Sequence, residues 1–381
     1  MIEGIQFAAT AAGIKASGLD LGLAFFNDPM YVSSLYTKNQ VKAAHIVYNR
    51  GIEGAPVRAV LANSGCANSC TGADGIGDLA AIGENLSAIL GVNREDILFA
   101  STGVIGKRLP TDTVIRALPS IGKGLKTSHM DFAKAIMTTD TLPKTVEETF
   151  GRQRAYHMIG VAKGSGMINP RFATLLVFVF TDFPVAPETI RRSFARAAKE
   201  TFERISVDGE CSTNDSILLF TKTGKEDLKE LKAFNKALSK VLKELAMMVV
   251  RDGEGATRVA HIVVRGARKK KTAEKIARRI SISPLTKTAF FGCDPNWGRI
   301  IAAVGDADVP VVPSKIEITL QDHVVAREGV EVPFDEEEMK QRMDKKVIEV
   351  IIDLHDGKAG FDMYTTDYTY DYIKINASYR T

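Results

Sequence analysis

One run of six residues limits what this chain can become. Leu175-Leu-Val-Phe-Val-Phe180 is apolar throughout, rich in β-branched and aromatic residues, and too short for an ordinary helix, so a buried strand is expected. What leads into it is of the opposite kind: Lys163-Gly-Ser-Gly-Met-Ile-Asn-Pro170 is a glycine-rich loop, and Ala173-Thr174 stands at the junction. A small residue, a loop that can be strained and a rigid strand beyond are what a threonine needs to attack the carbonyl just before it. The ester so formed hydrolyses and the chain is cut. The threonine's new α-amino group is then the base that activates its hydroxyl. Taken locally, the same segment is more often a loop that simply enters a strand.

The rest of the chain mixes helix and strand. Residues 1–60 suggest short strands and turns, with AHIVYNR (44–50) and VRAVLANSG (57–65) as buried strands. Residues 76–91 have apolar positions at helical spacing and Gly91 as a stop. DILFASTGVIG suggests a strand and then a glycine turn, and residues 130–136 a short helix. Pro187 opens a helix expected to run to about Ile205, where its missing N–H costs nothing. VDGECSTNDSILLF suggests a polar turn feeding a strand, 226–251 a long amphipathic helix, VAHIVVRG a strand and 270–280 a basic helix. KIEITL, KVIEVIIDL and YDYIKINASYRT alternate in a strand-like way. With 381 residues, 45% of them apolar, the chain can bury a large core, and an α/β fold of packed helix and sheet layers is expected.

Several classes of function find little support. A net charge of +4 is too small and too spread to argue for nucleic acid. The basic stretch 269–279 lacks interleaved aromatics and suggests a solvated helix face. No apolar window is long enough for a transmembrane helix, and the first residues lack the basic and apolar regions of a signal peptide. Cys66, Cys70, Cys211 and Cys293 have no histidine pair at zinc spacing, so no metal is expected, and free thiols in a reducing cytoplasm are the simpler reading. Gly75-Ile-Gly77 follows no strand closely, so no dinucleotide is expected. Other segments admit chemistry without demanding it. In Ser101-Thr-Gly-Val-Ile-Gly106, a threonine hydroxyl and a glycine N–H at a strand end can aim two donors at one oxyanion. Asp252-Gly-Glu-Gly255 offers a carboxylate to a substrate ammonium or is a solvated turn, and Asn214-Asp215 and Asn296-Trp-Gly-Arg299 are braces or turns.

Taken together and in order, NSGCANSCTG, ASTGVIG, AIMTTDTLPK, AKGSGMINPRFATLL, RISVDGECSTNDS, RDGEGATR, DPNWGRI and INASYRT resemble the ornithine acetyltransferase (ArgJ) family of arginine biosynthesis, from about residue 10 to the last. The resemblance implies an acyltransferase that moves acetyl from N-acetylornithine to glutamate. It implies the DmpA/ArgJ-like fold of self-cleaving enzymes with an N-terminal threonine nucleophile. Autocatalytic cleavage between Ala173 and Thr174 would give an α chain, 1–173, and a β chain, 174–381, assembled as a heterotetramer. Thr174 would be the nucleophile, and Thr102 and Gly103 the oxyanion pair. Thr138 or a neighbour in its segment, Lys163, Thr174, Glu254, Asn376 and Thr381 would bind substrate. Some members also use acetyl-CoA, and no residue here decides that point. No permanently bound cofactor is implied. Cys66, Cys211 and Cys293 stand where the family commonly has other residues, and Cys66 is expected to alter packing around its loop. Two other readings stay open: an aminopeptidase or amidase that shares Thr174 but passes its acyl group to water, and a nucleic-acid-binding protein using the 269–279 helix.

Overall fold

The computed structural model describes residues 2–169 and 175–378. Ala173, Thr174 and Thr381 lie outside them. The described residues form two units, one of residues up to Glu203 together with Cys211–Val249, the other of Arg204–Glu210 and residues 250–378. These units do not follow a division at residue 173, because strands from both sides of it share the first unit's sheet.

In chain order the elements begin with β1 (Ile5–Thr10), β2 (Leu21–Tyr36), α1 (Ala44–Gly51), β3 (Val57–Asn63), α2 (Gly72–Leu90), β4 (Ile97–Ser101), α3 (Thr111–Lys123) and α4 (Met130–Ala135). They continue with β5 (Lys144–Phe150), β6 (Tyr156–Lys163), β7 (Leu176–Pro184), α5 (Pro187–Thr201), β8 (Ile205–Ser206), β9 (Ser216–Lys222) and α6 (Leu231–Arg251). All but β8 build the first unit, with α6 reaching its boundary. Its sheet runs β4-β3-β2-β9-β7-β6-β5, with β1 paired to β2. The apolar run becomes β7, flanked by antiparallel β6 and parallel β9. Its two faces are covered differently. Phe178 and Phe180 pack with Phe132 of α4, Phe26 and Phe220. On β6, Gly160 pairs with Val179 and leaves room for Val241 and Leu245 of α6. Each buried ring contributes roughly 1.5–3 kcal/mol before the entropic cost of fixing it.

The second unit continues with β10 (Val259–Ala267), α7 (Lys270–Ser281), α8 (Pro284–Gly292), α9 (Trp297–Gly305), β11 (Glu317–Leu320), β12 (His323–Arg327) and β13 (Val330–Glu331). It closes with α10 (Glu336–Met343), β14 (Val347–Asp353), β15 (Ala359–Thr366) and α11 (Tyr370–Ser378). Its sheet runs β13-β12-β11-β14-β10-β15-β8. The apolar face of α7, Ala273, Ile276, Ala277 and Ile280, joins the core built on it. Three basic residues of α7 are paired: Arg278 with Glu274, Arg279 with Asp306 and Lys275 with Asp308. Among the described residues no helix is long and apolar enough to cross a membrane.

Some sequence expectations need correction. AHIVYNR is helix α1, not strand. Its His45 and Asn49, one turn apart, both point inward, His45 to the Ser216 hydroxyl and Asn49 to the backbone of Phe99. In the helix the two stand one above the other on the buried face. Most of YDYIKINASYRT is helix α11. The Thr369 hydroxyl accepts the Tyr372 N–H at its start, and Tyr368 stacks on Tyr372 with ring centroids 4.9 Å apart. β2 is a 16-residue strand where short strands were expected. It pairs with β1 and β3 through its first part and with β9 through its second. α5 stops at Thr201, four residues short of the expected end, and a short 3-10 turn leads into β8.

Candidate active site

The oxyanion candidates sit where β4 ends. The Thr102 N–H donates to Asn63 O at 3.0 Å, continuing the β3–β4 pairing. The chain then turns at Gly103, whose φ of 128° is in the region that favours glycine. A Cβ there would stand 2.4 Å from the Gly65 carbonyl carbon and 2.6 Å from Cys66 N, so only glycine fits. The 63–68 loop is tied to the same turn through Asn63 Nδ2 to Cys66 O (2.9 Å) and Ala67 N to Val104 O (3.0 Å). Cys66 is buried in this loop, its thiol donating to Lys107 O at 3.3 Å, and burial pushes that thiol up. The backbone amide of Thr102 is spent on Asn63 O, and the oxyanion candidates at the turn are the Thr102 hydroxyl and the Gly103 N–H.

Lys163, the last residue of β6, is buried, and its Nζ donates to Thr102 Oγ1 at 3.2 Å. The hydroxyl accepts from an ammonium, which leaves its own hydrogen to donate and makes it a stronger donor. Behind it lies a carboxylate the sequence reading did not single out. Asp140 Oδ1 accepts from Lys144 Nζ (2.6 Å) and the Gly164 N–H (2.7 Å), and Oδ2 from the Thr138 N–H (3.1 Å). Burial alone would raise its pKa, but Lys163, Lys144 and the Gly164 amide outweigh that and hold it below the ordinary value. Thr138 is half-buried beside this hub, while the neighbouring Thr139 hydroxyl is bonded to Ser165 Oγ at 2.7 Å.

Asn214 and Asp215 come between a turn and β9, and both are buried. Asn214 Nδ2 donates to Ala67 O (2.6 Å) and Ser101 O (2.7 Å), and Asp215 Oδ1 accepts the Leu175 N–H at 3.0 Å. Burial pushes the Asp215 carboxyl well above the usual range, against the opposing influence of Thr37, the Leu175 amide and Lys163. Nearby, His45 Nε2 meets the Ser216 hydroxyl at 3.1 Å, and complete burial lowers its pKa to about 3. Burial thus holds it as a neutral core histidine at neutral pH.

In the second unit the Asp252–Gly255 turn brings Glu254 to Asn376 of α11, with Nδ2 2.9 Å from Oε2. Two glycines allow this. Gly253 lies against Thr366, and a Cβ on Gly255 would stand 2.5 Å from Tyr372 N. Thr369 Oγ1 also donates to Gly255 O at 2.7 Å. Asn296, in the other open motif, is an N-cap: its side chain accepts the Arg299 N–H at 3.2 Å and opens α9. Thus Thr102, Gly103 and Lys163 gather in one cluster, and Glu254 and Asn376 in another within the other unit.

The sequence model of the ArgJ family matches residues 6–381. A protein of Thermus thermophilus named arginine biosynthesis bifunctional protein ArgJ is 42% identical over 382 residues, covering 100% of this chain and 98% of its own. A glutamate N-acetyltransferase of Methanopyrus kandleri is 38% identical over 97% of each chain. The crystal structure of a bifunctional ArgJ protein from Bacillus halodurans, 34% identical, aligns with 53% of this chain and 98% of its own, at a TM-score of 0.49.

Proposed function

The chain belongs to the ArgJ family, and from that premise we propose that it is a glutamate N-acetyltransferase, transferring acetyl from N-acetylornithine to glutamate in arginine biosynthesis after cutting itself between Ala173 and Thr174. The observation that carries the reading is the turn after β4. There a threonine hydroxyl, fed by Lys163 Nζ at 3.2 Å, and the N–H of a glycine that nothing else could replace stand next to each other. That pair suits the oxygen of a tetrahedral acyl intermediate, at a typical value of about 3–4 kcal/mol per donor.

In this mechanism Thr174 Oγ attacks the acetyl carbonyl of N-acetylornithine, and its own α-amino group takes the hydroxyl proton. A free α-amine titrates near ~7.7–8.0, which suits that exchange at neutral pH. Thr102 and Gly103 hold the developing oxyanion. The intermediate collapses, the amine of ornithine leaves with the proton from the α-ammonium, and acetyl stays on Thr174. Glutamate then attacks through its amine, and the proton path reverses. Lys163, Glu254, Asn376, Thr381 and Thr138 are assigned to the substrate's charged and polar ends, Glu254 to an ammonium. Relatives named bifunctional are the reason to assay acetyl-CoA as a second donor. The mature enzyme is assigned as a heterotetramer of the two cleaved chains in the cytoplasm, where a reducing medium suits four cysteines found as free thiols.

Mass measurement under denaturing conditions, before and after a pulse of N-acetylornithine, tests the core of this reading. Two chains that sum to the precursor plus one water, the second beginning at Thr174 and gaining one acetyl group, are expected. Thr174→Ala should give one uncut, unacetylated chain, and a cut or active T174A protein would exclude Thr174 as the nucleophile. Parallel initial-rate lines against the two substrates, with acetylglutamate formed only when glutamate is present, separate the transferase from an amidase.

A further inference from the structure

We infer that Asn214 and Asp215 form a positioning clamp that holds Leu175, the residue after the nucleophile in sequence, in register with the oxyanion turn. This rests on the reading of Thr174, Thr102 and Gly103 above. The Leu175 N–H that Asp215 Oδ1 accepts at 3.0 Å belongs to the peptide bond joining Thr174 to Leu175. The Ser101 carbonyl that receives Asn214 Nδ2 at 2.7 Å belongs to the peptide bond leading into Thr102. Two adjacent side chains therefore hold the peptide immediately after the nucleophile and the peptide immediately before the oxyanion threonine. The second bond of Asn214, to Ala67 O at 2.6 Å, reaches the loop whose Gly65 and Cys66 back Gly103.

The clamp is itself fixed. Thr37 N–H donates to Asp215 O (3.0 Å), Ser216 N–H to Leu175 O (3.0 Å) and the Thr213 hydroxyl to Asn214 Oδ1 (2.6 Å). Parallel pairing of β7 with β9 starts at once with Leu176 against Ser216. No contact of either side chain named here reaches a group assigned to substrate. Their work is on the backbone, where a misplacement of about 1 Å between reacting groups can cost on the order of 100-fold in rate. Asp215 Oδ2 is buried and has no hydrogen-bond partner among the described residues. Burial favours the neutral carboxyl over the charged one, against the pull of Thr37, the Leu175 amide and Lys163, and either form can accept the Leu175 N–H. An asparagine at 215 keeps that acceptor, and an alanine removes it.

The test uses the full-length protein with Asn214→Ala, Asp215→Ala, the double variant and Asp215→Asn. It reads the rate of self-cleavage, kcat and KM for N-acetylornithine of the cut enzyme, and the thermal melt. Each alanine variant should slow cleavage and lower kcat by about 10- to 100-fold with KM changed less than about threefold. The double variant should be little worse than the poorer single one, because the two side chains act as one device. Asp215→Asn should stay within about threefold of wild type, since its amide oxygen can take the same Leu175 N–H. Should an alanine variant fail to fold, Asn214→Asp, which keeps size but loses the donating amide, replaces it under the same criteria. The clamp is overturned by alanine variants that cut and turn over like wild type, by losses confined to KM, or by a folded D215N as impaired as D215A. If the wild-type protein neither cuts at 173–174 nor takes up acetyl, it is the reading of Thr174 that fails and the clamp falls with it. If it does both and the variants match it, only the clamp fails.

Discussion

Gly103 shows how much one missing side chain can decide. Its φ of 128° and the 2.4 Å between an added Cβ and the Gly65 carbonyl carbon leave no place for alanine without moving the 65–66 backbone. Strain of that kind costs about 1–3 kcal/mol. If the Gly103 N–H also serves the oxyanion, displacing it should cost about 100-fold or more in kcat, as loss of one such donor does elsewhere. Gly103→Ala is therefore expected to melt earlier and to lose kcat far more than KM. A stable G103A enzyme with wild-type kcat would remove this amide from the mechanism. At the neighbouring position, Thr102 has its amide fixed to Asn63 and its hydroxyl fed by Lys163, so its two polar groups have separate tasks.

Among the elements, the turn between α4 and β5 depends on one buried ion pair. Asp140 gathers Lys144 Nζ and the amides of Thr138 and Gly164, and thereby ties this turn to the loop after β6. Its folded-state pKa lies below the ordinary value through its lysines and the Gly164 amide, against the opposing pull of burial. For a carboxyl so shifted, the stabilisation is fully present above the unfolded-state pKa near ~3.9 and disappears as pH falls through the lower folded value. Asp140→Asn removes the charge that Lys144 Nζ meets at 2.6 Å, a loss on the order of 3–5 kcal/mol at neutral pH. Melts from neutral pH down to the acid range should show the gap between wild type and D140N narrowing as pH drops below ~4. A gap independent of pH would mean that the carboxylate's charge contributes nothing. None of this was legible in TTDT as a string, where the four residues differ only as polar turn formers. Nor could AHIVYNR be told from a strand, since its inward face is set by His45 and Asn49, whose partners lie 171 and 50 residues away. What the sequence did reveal was carried by local signals: the unbroken apolar run of β7, Gly91 ending α2 in a left-handed turn, and Pro187 opening α5. Glu254 meets Asn376 and Asn214 meets Ser101 across more than a hundred residues, and spacing cannot report such meetings.

For the molecule as a whole, the sheet order says what self-cleavage would leave behind. In β4-β3-β2-β9-β7-β6-β5, the central pair β9-β7 belongs to the chain that would begin at Thr174, while β2 on one side and β6 on the other belong to 1–173. One seam joins β2 to β9 from Met30–Lys222 to Tyr36–Ser216, and the other joins β6 to β7 from Met158–Thr181 to Lys163–Leu176. A cut between residues 173 and 174 lies outside both seams and removes no hydrogen bond from either. To separate, the two chains would have to open both, and expose the aromatic core in which Phe26 and Phe132 of one touch Phe220 and Phe178 of the other. Unpairing two central strands and exposing their rings amounts to unfolding the unit. The cut protein should therefore elute as a single species in native size-exclusion chromatography and resolve into two chains only in denaturant, while the uncut T174A protein should elute at the same position. Its melting temperature should also lie close to that of the cut enzyme, because the cut breaks no strand pair of either seam. Chains that part in native buffer would contradict the interleaved sheet, and with it the assignment of 173–174 as the point where this chain is cut.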